Sequence, residues 1–324
     1  MSLAESGTTQ VLPADRTIGA DVAMRLQVSG ANGIQITAYQ FHDRQPGRPN
    51  LLFAHANGFN AGCYTPFLLR LASRFNIFAY DIRGHGASER PPSETVGNYL
   101  MELLGEDLAA VTAAVQGRID GNSDLHFASH SVGGIGLFMW LGSTGLEPFK
   151  SATMFEPPLH PAQKDRPKVY QFGRGDMYSK WAAKRRIYFD SPEDFRAECS
   201  GYLTYQTISD EMMDALVCAA IKKREDGAGY ELRCLGEVES RIYERCPSSP
   251  VFETATKLHL PMLMYYGDPS LTGGSNPLKT TISKLADALP NGEARMMENQ
   301  RHLMVLENPD KCAAAVFAHA LGDS

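Results

Sequence analysis

Ser129-His130-Ser131-Val132-Gly133-Gly134 is the stretch of this 324-residue chain whose residue types point most directly to chemistry. It follows a short apolar run, LHFAS (125–129), and opens a segment of helical spacing. A serine held at so sharp a strand-to-helix turn needs small neighbours, because the backbone folds tightly there. In the usual G-x-S-x-G form the hydroxyl stands at the top of a sheet and the next amide helps to hold an oxyanion. Here Ser129 replaces the first glycine. Ser131 is therefore a candidate nucleophile, weighed against the plainer reading of a glycine-rich turn. Two more segments of interest follow apolar runs: Phe53-Ala54-His55-Ala56-Asn57-Gly58-Phe59 and Asp81-Ile82-Arg83-Gly84-His85-Gly86-Ala87-Ser88.

Chemistry at one place needs elements that bring such segments together. IQITAYQF (34–41), LLFAHA (51–56), NIFAYD (76–81), LHFAS and SATMFE (151–156) read as strands. FLLRLASRF (67–75) has helical spacing, as has Tyr99–Val115, where Leu100, Leu103, Leu104, Leu108, Val111 and Val115 recur at three to four. A further helix starts at about Gly133. Strands alternating with helices predict a parallel sheet covered on both faces, with active sites at the carboxyl ends of the strands. Asn57, Asp81–Gly86, Ser131 and Glu156 then share one sheet edge. The alternation breaks at about His160 and resumes with LPMLMYYG (260–267), a helix around Leu278–Leu289, EARMME (293–298) and a helix over Pro309–Leu321. Residues 1–159 and 251–324 thus read as one α/β core, and 160–250 as an inserted, irregular helical block over the catalytic edge, a lid.

Composition narrows the class. With 43% hydrophobic and 21% charged residues, 29 Gly and 19 Pro, the chain is not disordered, collagen-like or coiled-coil. No apolar run of about 18 residues occurs, so no membrane-spanning helix is expected. The start, MSLAESGTTQVLPADR, lacks the basic and apolar regions of a secretory signal. The six cysteines (Cys63, Cys199, Cys218, Cys234, Cys246, Cys312) show no CxxC or zinc spacing, so reduced thiols and a cytoplasmic location are expected. A net charge of -6 argues against a nucleic-acid partner. No P-loop, dinucleotide GxGxxG or HExxH occurs, so neither a metal nor an organic cofactor is expected. Gly133-Gly134-x-Gly136 is assigned to close packing.

Taken with Ser131, the HANGF stretch (55–59) and the DIRGHGAS stretch (81–88) resemble the α/β-hydrolase superfamily in order and spacing. The resemblance covers roughly residues 34–158 and 258–321, and the inserted block has no counterpart in it. It implies an α/β-hydrolase fold: a mostly parallel eight-stranded sheet flanked by helices, with the helical lid inserted. It implies Ser131 as nucleophile and, as its base, a histidine after the last strand, where Asn299-Gln300-Arg301-His302-Leu303 stands. His302 must take the serine proton and return it to the leaving group. The implied oxyanion hole uses the backbone N–H groups of Asn57 and Val132. His55 and His130 are read as packing residues.

The acid is contested. Most members carry it in a G-x-x-D pattern, but this chain has Gly267-Asp268-Pro269-Ser270, and a serine in the expected slot cannot orient an imidazolium. The alternative is Glu156 of Met154-Phe155-Glu156-Pro157-Pro158, in a slot that some members use; Asp268 is the runner-up. A serine at the elbow also speaks against haloalkane dehalogenase and epoxide hydrolase activity, which need an aspartate nucleophile. The resemblance therefore implies a serine hydrolase acting on a small to medium carboxylic ester or thioester through an acyl-enzyme. On the same triad the alternatives are C–C bond hydrolysis, lyase chemistry, acyl transfer and cofactor-free oxygenation; a non-catalytic binding protein is the remaining one. Nothing in the sequence fixes the oligomeric state. The block at 160–250 is balanced, 15 Lys/Arg against 15 Asp/Glu, yet its first third is basic: Lys164, Arg166, Lys168, Arg174, Lys180, Lys184, Arg185 and Arg186 face only Asp165, Asp176 and Asp190. A solvated helix face is the simpler reading, steering of an anionic substrate the other. Tyr178, Trp181, Tyr188 and Phe189 are shared between core and pocket.

Overall fold

The central strands are almost uniformly apolar, so both of their faces must be covered, as in parallel sheets. The computed structural model describes residues 10–12, 21–121, 123–158, 160, 174–246, 251–272 and 276–322. Its strands are β1 (Gln10–Leu12), β2 (Val22–Ser29), β3 (Gln35–Phe41), β4 (Asn50–Ala54), β5 (Asn76–Tyr80), β6 (Leu125–His130), β7 (Ala152–Phe155), β8 (Tyr188–Phe189), β9 (Ile221–Lys223), β10 (Tyr230–Leu232), β11 (Met262–Gly267) and β12 (Gly292–Met297). Nine of them form one sheet in the order β1-β2-β3-β5-β4-β6-β7-β11-β12, parallel from β5 to β12 and antiparallel at the β1–β3 edge. Eight strands were expected; the short β1, laid antiparallel on β2, makes the ninth.

Helices α1 (Thr65–Leu71), α2 (Met101–Gln116), α3 (Gly133–Thr144), α4 (Arg174–Ala182), α5 (Pro192–Ser200), α6 (Asp210–Ala220), α7 (Gly236–Arg245), α8 (Val251–Ala255), α9 (Pro277–Ala288), α10 (Met304–Glu307) and α11 (Pro309–Leu321) complete the described elements. Alternate strand residues separate the two cores. Leu52, Phe78, Phe127 and Met154 pack with α2, α3 and α9, whereas Leu51, Phe53, Ile77 and Phe155 pack with α1, α6 and α11. Each such fully buried side chain contributes about 1.5–3 kcal/mol.

Register then decides where the loops emerge. Ala54 is level with Ser129, and Ser129 with Met154, so β4, β6 and β7 end together. Asn57, Ser131 and Glu156 leave the sheet at that common edge. The elbow needs its glycine: a Cβ on Gly133 would lie 2.5 Å from the Ala54 carbonyl oxygen. The block expected to be irregular and helical also holds a small antiparallel sheet, β8-β10-β9. Its strands, of two and three residues, are too short to show a period of two in sequence. Among the described residues no helix is long and apolar enough to cross a membrane, and all six cysteines are free thiols.

Candidate active site

Ser131 sits in the left-handed region, φ 52°, between β6 and α3, pinned by its own N–H to the Phe155 carbonyl at 2.8 Å. A non-glycine residue there is uncommon and costs roughly 1–2 kcal/mol. That conformation turns the chain at once from strand into helix, leaving Ser131 at the N-terminus of α3, where the helix dipole favours negative charge. The N–H groups of Asn57 and Val132 donate to no acceptor among the described residues, although both residues are buried. Buried amides are almost always paired, so two open donors on the loops that carry Asn57 and Ser131 are unusual.

Glu156 stands directly after β7, also left-handed at φ 45°. Its Oε2 accepts the Nδ1–H of His302 at 2.8 Å. Oε1 accepts the Gly267 N–H and the Asn276 side-chain N–H, each at 2.8 Å. Burial pushes this carboxyl up, but the bonds from His302, Asn276 and Gly267 outweigh it and hold the pKa at about 2. Because Nδ1 carries the proton, the Nε2 of a neutral His302 ring keeps its lone pair. Asp268 does something else. Its Oδ1 accepts the Ser270 N–H at 2.9 Å and its Oδ2 the Asn299 N–H at 3.1 Å, closing the loops after β11 and β12. No hydrogen bond or ion pair joins it to His302 among the described residues.

Three buried histidines brace these loops. A carbonyl only accepts, so His130 Nε2 donates to the His302 carbonyl at 2.8 Å, while its Nδ1 takes the Tyr64 hydroxyl at 2.7 Å. His55 Nδ1 donates to the Ala56 carbonyl and its Nε2 accepts the Ile82 N–H. His85 Nε2 accepts the Gly58 N–H, steadying the loop that carries Asn57. Burial drives all three down, His55 and His85 to about 4 and His130 to about 3, which keeps them neutral. The rest of the 81–88 stretch is scaffold as well: Asp81 accepts from Ala61, Ala87 and Tyr39, and Arg83 clamps Asp107.

A cavity of about 900 Å³ opens over Ser131 and His302. Its core side includes Asn57, Val132 and Glu156; its other walls include Tyr178, Trp181, Tyr205 and Tyr243. Of the basic stretch, Lys164, Arg166 and Lys168 lie outside the described residues, as does the Arg174 side chain. Lys180 and Lys184 are exposed, Arg186 pairs with Asp194, and Arg185 turns inward onto Glu239. Sequence reasoning missed three participants: Asn276, Tyr64 and Glu239. Only Asn276 left a local signal, the Asn-Pro start of α9, whose first N–H groups it also caps. Among the described residues no group of three His, Cys, Asp or Glu is placed to hold a metal ion.

Comparison with known proteins follows the same lines. Residues 51–315 match the profile of the "Alpha/beta hydrolase family". The chain is 29% identical over 106 residues to 3-oxoadipate enol-lactonase 1 of Acinetobacter baylyi, a stretch covering 33% of this chain and 36% of that protein. It spans about a third or less of the length of the curated relatives it matches. Among solved structures, E-2-(acetamidomethylene)succinate hydrolase superposes with a TM-score of 0.71 at 15% identity, covering 90% of this chain and 97% of that one. A peroxisomal α/β-hydrolase of Saccharomyces cerevisiae does so with 0.71 at 15%, covering 98% and 89%. These structural likenesses reach the fold alone, whereas the profile spans most of the sequence: the chain belongs to the alpha/beta hydrolase family.

Proposed function

We propose that the protein is a serine hydrolase that cleaves a carboxylic ester or thioester of a small to medium substrate through an acyl-enzyme. Ser131 attacks the carbonyl, and His302 Nε2 accepts its proton and returns it to the leaving group. Glu156 fixes the His302 tautomer and stabilises the imidazolium as it forms, while the Asn57 and Val132 amides hold the oxyanion. Each such donor is worth about 2.7–4 kcal/mol in the transition state. Water then releases the acyl group by the same proton route. The block at 160–250 acts as a lid over the bound substrate, a role supported by the aromatic side chains it sends into the cavity wall.

The observation that carries this reading is the 2.8 Å bond from His302 Nδ1 to a carboxylate held ionised, in the same cavity as a serine in a left-handed turn. The enol-lactonase similarity supports hydrolysis at an acyl carbon. A fluorophosphonate probe together with short p-nitrophenyl esters tests it. Wild type is expected to be labelled and to turn over ester, while Ser131→Ala is unlabelled and loses at least about a thousandfold in kcat. Equal labelling of the two proteins would sink the assignment.

A further inference from the structure

Two arginine–carboxylate pairs in this molecule, one fully buried and one half-buried, use their donors very differently. Arg83, 1% exposed, grips Asp107 with Nε at 2.6 Å and Nη2 at 2.7 Å, and gives Nη1 to the Asn98 carbonyl. Arg185, with 24% of its side chain exposed, gives a single Nη1 bond to Glu239 Oε2 at 2.5 Å. Its Nε and Nη2 groups meet no acceptor among the described residues, and Arg185 lines the cavity over Ser131. A guanidinium carries five N–H donors, so a single bond to Glu239 leaves this one with donors to offer a ligand in the cavity. The open side of this fork is thus shaped for two oxygen atoms in one plane, as in a carboxylate.

Its surroundings point the same way. Four cations, Lys184, Arg185, Arg186 and Arg301, and four carboxylates, Glu156, Glu198, Glu239 and Asp268, line the cavity, so bare charge decides nothing. Commitment does. Each carboxylate already accepts from a protein donor: Glu156 from His302, Glu198 from Tyr202, Glu239 from Arg185, Asp268 from Ser270. Lys184 and the Arg301 guanidinium have no acidic partner among the described residues. Glu239 also joins this corner to the reaction, because its backbone carbonyl takes the Asn57 side-chain N–H at 3.0 Å.

We propose that Arg185 is the floor of an anion subsite, with Lys184 and Arg301 at its margin, and that the acyl group this enzyme cleaves ends in a carboxylate. The proposal rests on Ser131 being the nucleophile, and its test keeps the two apart. The probes are p-nitrophenyl hydrogen glutarate and neutral p-nitrophenyl valerate. Wild type is expected to favour the anionic ester in kcat/KM by about 10- to 100-fold, the value of one or two charged hydrogen bonds. Arg185→Gln should lose most of that ratio, and Arg185→Lys keep part of it. Free glutarate should inhibit wild type competitively, less so at high salt, a reading that stands even if the variants fail to fold. A ratio near one in wild type, a ratio unmoved by Arg185→Gln, or no inhibition by glutarate overturns the subsite. If fluorophosphonate labelling of Ser131 survives such a result, the hydrolase reading stands; loss of labelling and of all ester turnover overturns both.

Discussion

Beneath the cavity, Ser131, Asn57 and Glu156 are 7%, 4% and 2% exposed, and neighbouring strands and loops hold each of them by hydrogen bonds. Above it, Tyr178, Trp181 and Tyr202 are 40%, 59% and 50% exposed, and they meet mainly one another and other rings. The lower side presents fixed dipoles whose cost was met on folding, which on the proposed mechanism is what transition-state stabilisation requires. The upper side offers broad aromatic area with few directional bonds, which on the proposed function suits fitting a variable acyl chain. Rate should therefore be set below and substrate choice above.

The hardest test of that division compares two carboxylates. Glu156→Gln should lower kcat/KM about 10³- to 10⁴-fold, because the imidazole loses its tautomer and its counter-charge. Asp268→Asn should stay within about threefold, since its loop-closing bonds are far weaker contributors. Steady-state kinetics on one ester, run on both variants, decides the matter; similar losses in both would dissolve the contrast.

Acid should strike the lower side first. An unfolded chain protonates His55, His85 and His130 near their ordinary value of 6.5, whereas the folded chain resists until about 4, 4 and 3. Their stabilisation is complete above pH 6.5 and is lost as pH falls through that window, at about 1.4 kcal/mol per pH unit per ring. Urea midpoints measured from pH 7 to pH 4.5 should drop steeply. A flat profile would mean that these rings are charged in the folded protein. Glu156 adds to the loss only below its ordinary 4.5, as pH approaches 2.

Asn276→Ala should have a smaller effect, on activity and stability together. It removes one bond to the Glu156 carboxylate and the cap of α9, so kcat should fall about tenfold and stability by about 1 kcal/mol. Melting curves recorded beside the kinetics separate the two losses. Least of all, Trp181→Ala should leave stability within about 0.5 kcal/mol while moving KM for bulky esters a few-fold. A collapse in kcat there would move part of the chemistry upward.

The same division marks what could be read from sequence. The strands β4 to β7 announce themselves as apolar runs, and the elbow as small residues around Ser131, because both are local demands of backbone and burial. The family resemblance those segments carry led to His302, and an out-of-place Ser270 turned attention to Glu156. β2 was missed although it was legible: VAMRLQVS alternates Val22, Met24, Leu26 and Val28 with Ala23, Arg25, Gln27 and Ser29, the period of a half-buried strand. β8 to β10 are too short to carry a signal. The bonds from Arg185 to Glu239 and from His130 to His302 join residues 54 and 172 positions apart, and nothing local foretells such partners. Arg185 reads as one more cation in a basic stretch until the fold turns it onto Glu239 and into the cavity wall.

Ser131, Glu156 and Asn299 all hold backbone angles that glycine would adopt freely, at φ 52°, 45° and 60°. At roughly 1–2 kcal/mol apiece, these positions oppose folding, and at the first two the proposed mechanism needs the side chains. A descendant that abandoned the proposed catalysis would gain stability by replacing Ser131 with glycine or asparagine, whereas at Glu156 the bonds from Gly267 and Asn276 would be lost with the side chain. Loss of function in this lineage should therefore leave a legible trace: a sturdier protein with a softened elbow, recognisable from sequence before any assay.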